Sequence, residues 1–387
     1  FGSSNLAQAA QRVRVRTARR ALNRPMGGEM GERVIVVGGG LAGLSAACEL
    51  LEQGCNVCII EKETNLGGNS SKATCGIAAP GSALQKAAGV QDAAGDLCAE
   101  GPAAQALIQA GPGDVQWLTS VLGVDSELVL RLTPGHGRQP RTIGTKTHFP
   151  GAVVTYAAIH LLQQVASAKP DRLQVLTSAR VVGLAAGSSG GVSGVVFEQG
   201  GEKKSLSGSV VMASGGYAGD TSATSVLSRH APDLAHLPTT NDERASGDAL
   251  TLCSNVGAAV EDLDKVEVFP TAAIIPGQDD ANFKVVISDA ISGAGGKLLN
   301  AQGKRFVDEL ATAKERTAAM QASTASPPFR LVISEKDATA VQWMCDLYTQ
   351  RQVMKKYSSA AELAREMGVS GLDASVGTGA VLSAMVT

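Results

Sequence analysis

Residues 33 to 43 constrain the chain more than any other stretch. Arg33-Val34-Ile35-Val36-Val37 is a β-branched run that can be covered on both faces. It feeds directly into Gly38-Gly39-Gly40-Leu41-Ala42-Gly43, and then into Leu44-Ser45-Ala46-Ala47-Cys48-Glu49-Leu50-Leu51, whose apolar spacing is helical. The order is strand, glycine turn, helix. In such a turn Gly38 permits the reversal, Gly40 lets backbone N–H groups approach a pyrophosphate, and Gly43 lets helix and strand pack, while the helix N-terminus supplies partial positive charge. A second predicted strand, Asn56 to Ile60, ends in Glu61, 18 residues past Gly43. A carboxylate at that offset can accept both hydroxyls of an adenosine ribose and disfavour a 2′-phosphate. These features predict a dinucleotide site and leave FAD and NAD both open.

Composition narrows the class. With 34 Lys+Arg against 36 Asp+Glu the formal charge is −2, which argues against nucleic acid as a partner. The apolar share of 44% and charged share of 18% predict a globular chain with a buried core. No run of about 18 apolar residues occurs, so no membrane span is expected. The seven Cys are odd in number, and Cys55 and Cys58 fall within an apolar strand pattern. They read as reduced core thiols, and no spacing suggests a metal site. Residues 1–31 differ: six Arg precede the first acid, Glu29. That is the composition of a basic arm or organelle-targeting remnant, with a mitochondrion favoured, a plastid as the alternative, and a tail that docks a partner as the competing structural reading.

The stretch after Glu61 decides between the dinucleotides. Lys62-Glu63-Thr64-Asn65-Leu66-Gly67-Gly68-Asn69-Ser70-Ser71-Lys72-Ala73-Thr74-Cys75-Gly76-Ile77 is a second small-residue loop with hydroxyls and bare backbone against which a flat ring can lie. It resembles the FAD-binding segment of the fumarate reductase and succinate dehydrogenase flavoprotein family, in particular the G-G-N-S-x-K-A-S-x-G-I pattern of its soluble fumarate reductases. Three further stretches are similar to family segments in family order: Gly135-His136-Gly137-Arg138-Gln139-Pro140-Arg141-Thr142, Val210-Val211-Met212-Ala213-Ser214-Gly215-Gly216, and Thr239-Thr240-Asn241 with Ser246-Gly247-Asp248. Ala249 stands where the family has a last glycine. No His lies between Val57 and Arg131, so the resemblance implies non-covalent FAD.

The resemblance implies an α/β fold: a Rossmann-like FAD-binding domain of glutathione-reductase type over 32–261, with an inserted α+β capping domain over 262–387. It implies cofactor contacts from Gly38, Gly40, Leu41, Ala42, Gly43, Glu61, Lys62, Gly67, Gly68, Asn69, Ser70, Lys72, Ala73, Cys75, Gly76, Ile77, Val181, Ala213, Ser214, Gly215, Thr240, Asn241 and Asp248. A helix is expected within Ser358 to Val369, and the family's return to the flavin domain has no counterpart before Thr387.

Reducing the double bond of an unsaturated dicarboxylate needs a hydride donor, donors that hold both carboxylates, and an acid for the second carbon. The family's H-P-T motif aligns with Phe269-Pro270-Thr271, so a ring without a hydrogen-bond donor replaces His. Its Thr-Glu pair aligns with Ser288-Asp289, and the position of its proton-donating Arg holds Ala313, with Arg316 three residues on. Ser288, Asp289 and Arg316 are the catalytic candidates; Arg316 otherwise reads as a solvated helix charge and Arg305 as a structural residue of the cap. Losing one such donor costs about 10²–10³ in rate. Two functions follow: an FAD-dependent reductase of fumarate reductase type, retuned to a less charged substrate that packs on Phe269, or a catalytically inactive accessory subunit of a larger organellar complex.

Overall fold

A computed structural model describes residues 32–97, 101–124, 127–188, 190–322 and 327–386; the basic arm lies outside them. Four strands, β1 (Arg33–Val37), β2 (Asn56–Ile60), β6 (Leu173–Leu176) and β10 (Ser209–Met212), form a parallel sheet in the order β10-β1-β2-β6. Alternation along these strands sorts their side chains into two layers. Val36, Val57 and Ile59 pack on the helices Leu41–Gln53 and Pro150–Ala168, through Leu44, Ala47, Leu51, Leu161 and Val165. Ile35, Val37, Cys58 and Ile60 face the other way, onto Val181, Val195 and Phe197. Those three belong to an antiparallel meander of β7 (Ala179–Ala186), β8 (Val192–Gln199) and β9 (Glu202–Ser207). Burial on both faces is why these strands read as continuous apolar runs.

β1 pairs with β2 on one side and with β10 on the other, so the chain leaves β1 at the point where strand order reverses. In open α/β sheets that is where the crevice for a ligand opens. A small sheet, β3-β5-β4, built from β3 (Ile77–Ala78), β4 (Leu128–Arg131) and β5 (Thr142–Thr145), braces the loop that follows β2.

The cap is a second core. Its antiparallel sheet runs β12-β11-β16-β14-β13, from β11 (Ala272–Ala273), β12 (Val285–Val286), β13 (Lys297–Leu299), β14 (Phe329–Ser334) and β16 (Val381–Val386); β15 (Lys355–Tyr357) also pairs with β16. Ile287, Ile291, Leu298, Leu331, Met344 and Leu382 meet beneath it. The expected helix forms as Ala360–Glu366, capped by the Ser359 hydroxyl. The chain then supplies β16, which lies inside the sheet; the sequence reading had stopped at the helix. No described helix is long and apolar enough to cross a membrane.

Cap and flavin domain touch at close quarters. Gly135 N donates to Leu310 O at 3.0 Å, and Arg131 Nη1 donates to Ala340 O at 3.2 Å. At Gly293, a Cβ would lie 1.8 Å from Leu132 O. Gly293→Ala should therefore push the cap off β4, with a loss of about 1–3 kcal/mol in urea denaturation and an unchanged secondary-structure spectrum.

Candidate cofactor and substrate site

The glycine turn shows which glycines the protein needs and which a ligand needs. Gly38 has φ 109°, and a Cβ there would meet Ala213 O at 2.3 Å. A Cβ on Gly43 would meet Gly38 O at 2.0 Å. Both are required by internal packing. At Gly40 the nearest atom to a Cβ is Ser70 Oγ, 3.6 Å away, so that face is open. Gly40 caps the Leu41–Gln53 helix without a side chain, and no acid sits in the first turn, which leaves the positive end of the helix dipole toward the cleft. Leu41 N donates to Ser70 Oγ at 3.1 Å.

Glu61, 8% exposed, closes the other end. Its Oε2 accepts from Gly39 N at 2.7 Å and its Oε1 from Glu63 N at 2.9 Å. A carboxylate offers about four acceptor positions, so each oxygen keeps one for a ribose hydroxyl. The facing wall is Ala213–Gly216 and Asn241–Ala245. Asn69 joins the walls, donating Nδ2 to Asn241 Oδ1 at 3.2 Å and accepting from Asp242 N at 3.1 Å. Arg244 forks onto Asp242 at 2.5 and 2.6 Å, and Lys72 pairs with the same carboxylate. The Arg244 hydrogen bond leads in holding the Asp242 carboxyl well below its usual range. Lys62 reaches Asp248 at 2.7 Å, and Arg180 reaches it at 2.9 Å. Burial pushes Asp248 up, but Lys62 and Arg180 together outweigh it and the net shift is downward.

The cleft between these walls has a volume of about 310 Å³. A smaller cavity lined by Glu61, Lys62, Val181 and Asp248 adjoins it through shared residues. Bare amides, a helix N-terminus and a carboxylate with spare acceptors fit an adenine dinucleotide.

Of the residues expected at the cofactor, Gly38, Gly40, Leu41, Ala42, Glu61, Lys62, Gly68, Asn69, Ser70, Ala213, Ser214, Gly215 and Asn241 line this cleft, and Val181 and Asp248 line its neighbour. The rest lie elsewhere. Gly43 is beneath the turn, and Gly67 N donates to Gly39 O at 2.8 Å. Lys72 Nζ lies 5.5 Å from the Phe283 ring centroid. Ala73, Gly76 and Ile77 border an apolar cavity that adjoins the cleft through Leu41 and Ser70, and Thr240 lines one on the cap side that adjoins it through Asn241. The Cys75 thiol lies 3.9 Å from Ser288 Oγ and is raised by burial and by the charge of Asp289. Sequence reasoning missed Gly39, Glu63, Gly216, Asp242, Arg244 and Ala245 as lining residues. The acid–base run Asp242-Glu243-Arg244 beside Asn241 was the available signal.

On the cap side, Ser288 Oγ donates to Thr74 O at 2.9 Å, which ties the cap to the cofactor loop, and accepts from Ala290 N as the cap of the next helix. Arg316 is 1% exposed and grips Asp289 at 2.9 and 3.3 Å. The reading of Arg316 as a solvated charge is thereby overturned: Ala313 begins the helix half-buried, and one turn later Arg316 points inward to neutralise a buried acid. Burial nevertheless raises the Asp289 carboxyl, with Arg316 opposing. His136, lowered first by burial and then by Arg141, carries a buried Nδ1 with no hydrogen-bond partner among the described residues. Arg305 forks onto Glu309, which also accepts from Leu298 N.

A family model described as an FAD binding domain matches residues 33–346. The chain is similar to the fumarate reductase of Schizosaccharomyces pombe, 34% identical over 338 residues, covering 84% of this chain and 65% of that protein. It is similar also to fumarate reductase 1 of Saccharomyces cerevisiae, 33% identical over 341 residues, covering 84% and 71%. It thus spans about two thirds of the length of these relatives. Its fold is like that of the open conformation of a flavocytochrome c3 fumarate reductase, with a TM-score of 0.67 at 21% identity over 100% of this chain and 70% of that one.

Two substitutions check the geometry. Glu61→Gln keeps an oxygen for Gly39 N–H but loses the charge, and should weaken FAD binding, followed by flavin fluorescence, about 10- to 100-fold. Arg316→Leu strands a buried carboxylate and should cost about 3–5 kcal/mol in urea denaturation, most of it recovered in the Asp289→Asn/Arg316→Leu double variant.

Proposed function

The chain belongs to the fumarate reductase and succinate dehydrogenase flavoprotein family and has FAD as its cofactor, and on that premise we propose that it reduces the activated carbon–carbon double bond of an unsaturated carboxylic acid. The observation that carries this is the junction at Thr74. The loop that borders the cofactor cleft is held there by Ser288 of the cap, so a substrate in the cleft would be sealed between cofactor and cap. When bound and reduced by an external electron donor, FAD would supply a hydride for one alkene carbon, and with Ala313 at the family's proton-donor position the proton for the other carbon would come from solvent water.

The chain's own residues do the rest. Amides of 38–42 and the helix terminus hold the pyrophosphate, and Glu61 holds the adenosine ribose. Asn69 and Asn241 keep the walls at a fixed separation. The 67–77 loop contains no His, in keeping with non-covalent retention.

Carboxylate capture is where this chain is poor. Ser288 Oγ is engaged by Thr74 O, both Asp289 oxygens face Arg316, and Phe269 has no donor. The same observation favours a second reading, a flavoprotein without alkene reductase activity kept as a subunit of a larger assembly.

Reconstitution tests the cofactor and the missing donors, and a photoreduced flavin that no unsaturated acid reoxidises would establish the second reading. The purified chain should take up FAD and show its absorbance, and after anaerobic photoreduction fumarate should reoxidise it at least about 10²-fold more slowly than it reoxidises the S. cerevisiae relative. No flavin uptake at all would defeat the cofactor assignment; reoxidation as fast as the relative's would defeat the claim that carboxylate donors are missing.

A further inference from the structure

A cavity of about 130 Å³ lies between flavin domain and cap, with Leu227, Leu234 and Leu237 on one side and Val266, Val268 and Phe269 on the other. It opens beside the cofactor cleft, because Asn241 lines both. Its chemistry is the reverse of what a dianion needs. None of its lining residues is Lys, Arg or His, and the one charged side chain among them, Glu267, is an exposed acid. A carboxylate drawn into this space would lose hydration and gain a like-charged neighbour.

Of the uncharged polar side chains present, Thr239 and Asn241 are already committed, which leaves the Thr240 hydroxyl. Thr239 Oγ1 donates to Ala218 O at 2.7 Å and accepts from Asn241 N at 3.0 Å, and Asn241 Oδ1 accepts from Asn69. Beside that one neutral hydroxyl, what a guest meets is the half-buried Phe269 ring and branched aliphatic surface, which favour a flat apolar group that can stack edge or face on the ring.

Resting on the reading that this cleft carries FAD and reduces an activated alkene, we propose that the acceptor is an α,β-unsaturated acid whose far end is an aryl or branched alkyl group seated on Phe269, and not a dicarboxylate. Phe269 then determines specificity: it rewards an apolar substituent and offers a second carboxylate nothing.

The FAD-loaded chain is titrated with (E)-cinnamate and with fumarate. Binding is read from perturbation of the flavin absorbance and, independently, from saturation-transfer NMR of the ligand. Cinnamate should bind at least about tenfold more tightly than fumarate, and Phe269→His should lower that preference about tenfold or more. Leu234→Asp, which puts a carboxylate in the cavity far from the 38–43 turn, should abolish cinnamate binding while FAD uptake certifies its fold. Fumarate bound as tightly as cinnamate, or a preference unmoved by both substitutions, would overturn the proposal. The NMR titration needs no bound flavin, so the cavity is tested whether or not FAD binds. Cinnamate that binds, is lost in Leu234→Asp, and yet never reoxidises the photoreduced flavin would sink the reductase reading and leave the ligand class standing.

Discussion

The hydrogen bond from Gly39 N to Glu61 Oε2 joins the two ends on which the fold is built. Gly39 lies in the turn that leaves β1, and Glu61 ends β2, its neighbour in the parallel sheet. A buried bond to a charged acceptor is worth roughly 1.5–3 kcal/mol, and leaving either group unpaired costs more than that. The bond therefore fixes the turn's shape before any ligand arrives, and together with the one from Glu63 N it uses only about half of the carboxylate's acceptor capacity. Gly38 packs on Ala213 O at the start of the opposite wall, so the same turn positions both sides of the cleft. Without it the turn is held to β2 through Gly38 N, which donates to Ile60 O at 2.9 Å, and the facing wall through Lys62 Nζ, which donates to Arg244 O at 2.6 Å.

Much of this was legible, because parallel-sheet strands covered on both faces advertise themselves as apolar runs and a nucleotide turn demands glycine at positions set by backbone clearance. Val34 to Val37, Asn56 to Ile60 and Val210 to Met212 were all readable as strands, and Glu61 was readable as the acid that ends β2. The cap was harder to read. Its strands are short, two to six residues, and half of them carry no alternation long enough to register. Val381–Val386 is the sharpest case. Six small and apolar residues after a glycine-rich stretch give no periodic signal, yet they form the strand that β11, β14 and β15 all pair with. Only the partners, distant in sequence, make it a strand.

Charged residues escaped sequence reading for a different reason. Arg316 sits in a helix whose composition looks solvated, and nothing local says that its side chain turns inward. What turns it is Asp289, 27 residues earlier. An isolated carboxylate at that depth would be costly, so the pair is a single structural unit even though neither member predicts the other. Arg244 with Asp242 is the nearer version of the same thing, two residues apart, and it was missed because it lies between the two quoted stretches, Thr239-Thr240-Asn241 and Ser246-Gly247-Asp248, that carry the resemblance. In both cases the signal is electrostatic complementarity in three dimensions, which a linear pattern does not carry.

The cofactor cleft and the positions that resemble the family's substrate site are built by different means. The dinucleotide is read mainly by backbone: amides of the turn, a helix terminus, glycines whose Cβ positions are occupied by neighbouring carbonyls. Glu61 apart, side-chain substitutions leave such recognition untouched unless they fall on a glycine: at Gly38 and Gly43 they break the fold along with the site, and at Gly40 they fill the open face a ligand needs. Substrate recognition rests on a few side chains in the cap and on its border. Phe269, Ser288 and Ala313 can each change without disturbing the sheet beneath, since Ser288 still caps its helix and Phe269 is only half-buried. A flavin fold therefore tolerates loss or exchange of its acceptor chemistry while its grip on the cofactor is protected by packing. The wall around Phe269 is accordingly apolar and holds no Lys, Arg or His, beside a cofactor cleft kept by backbone packing.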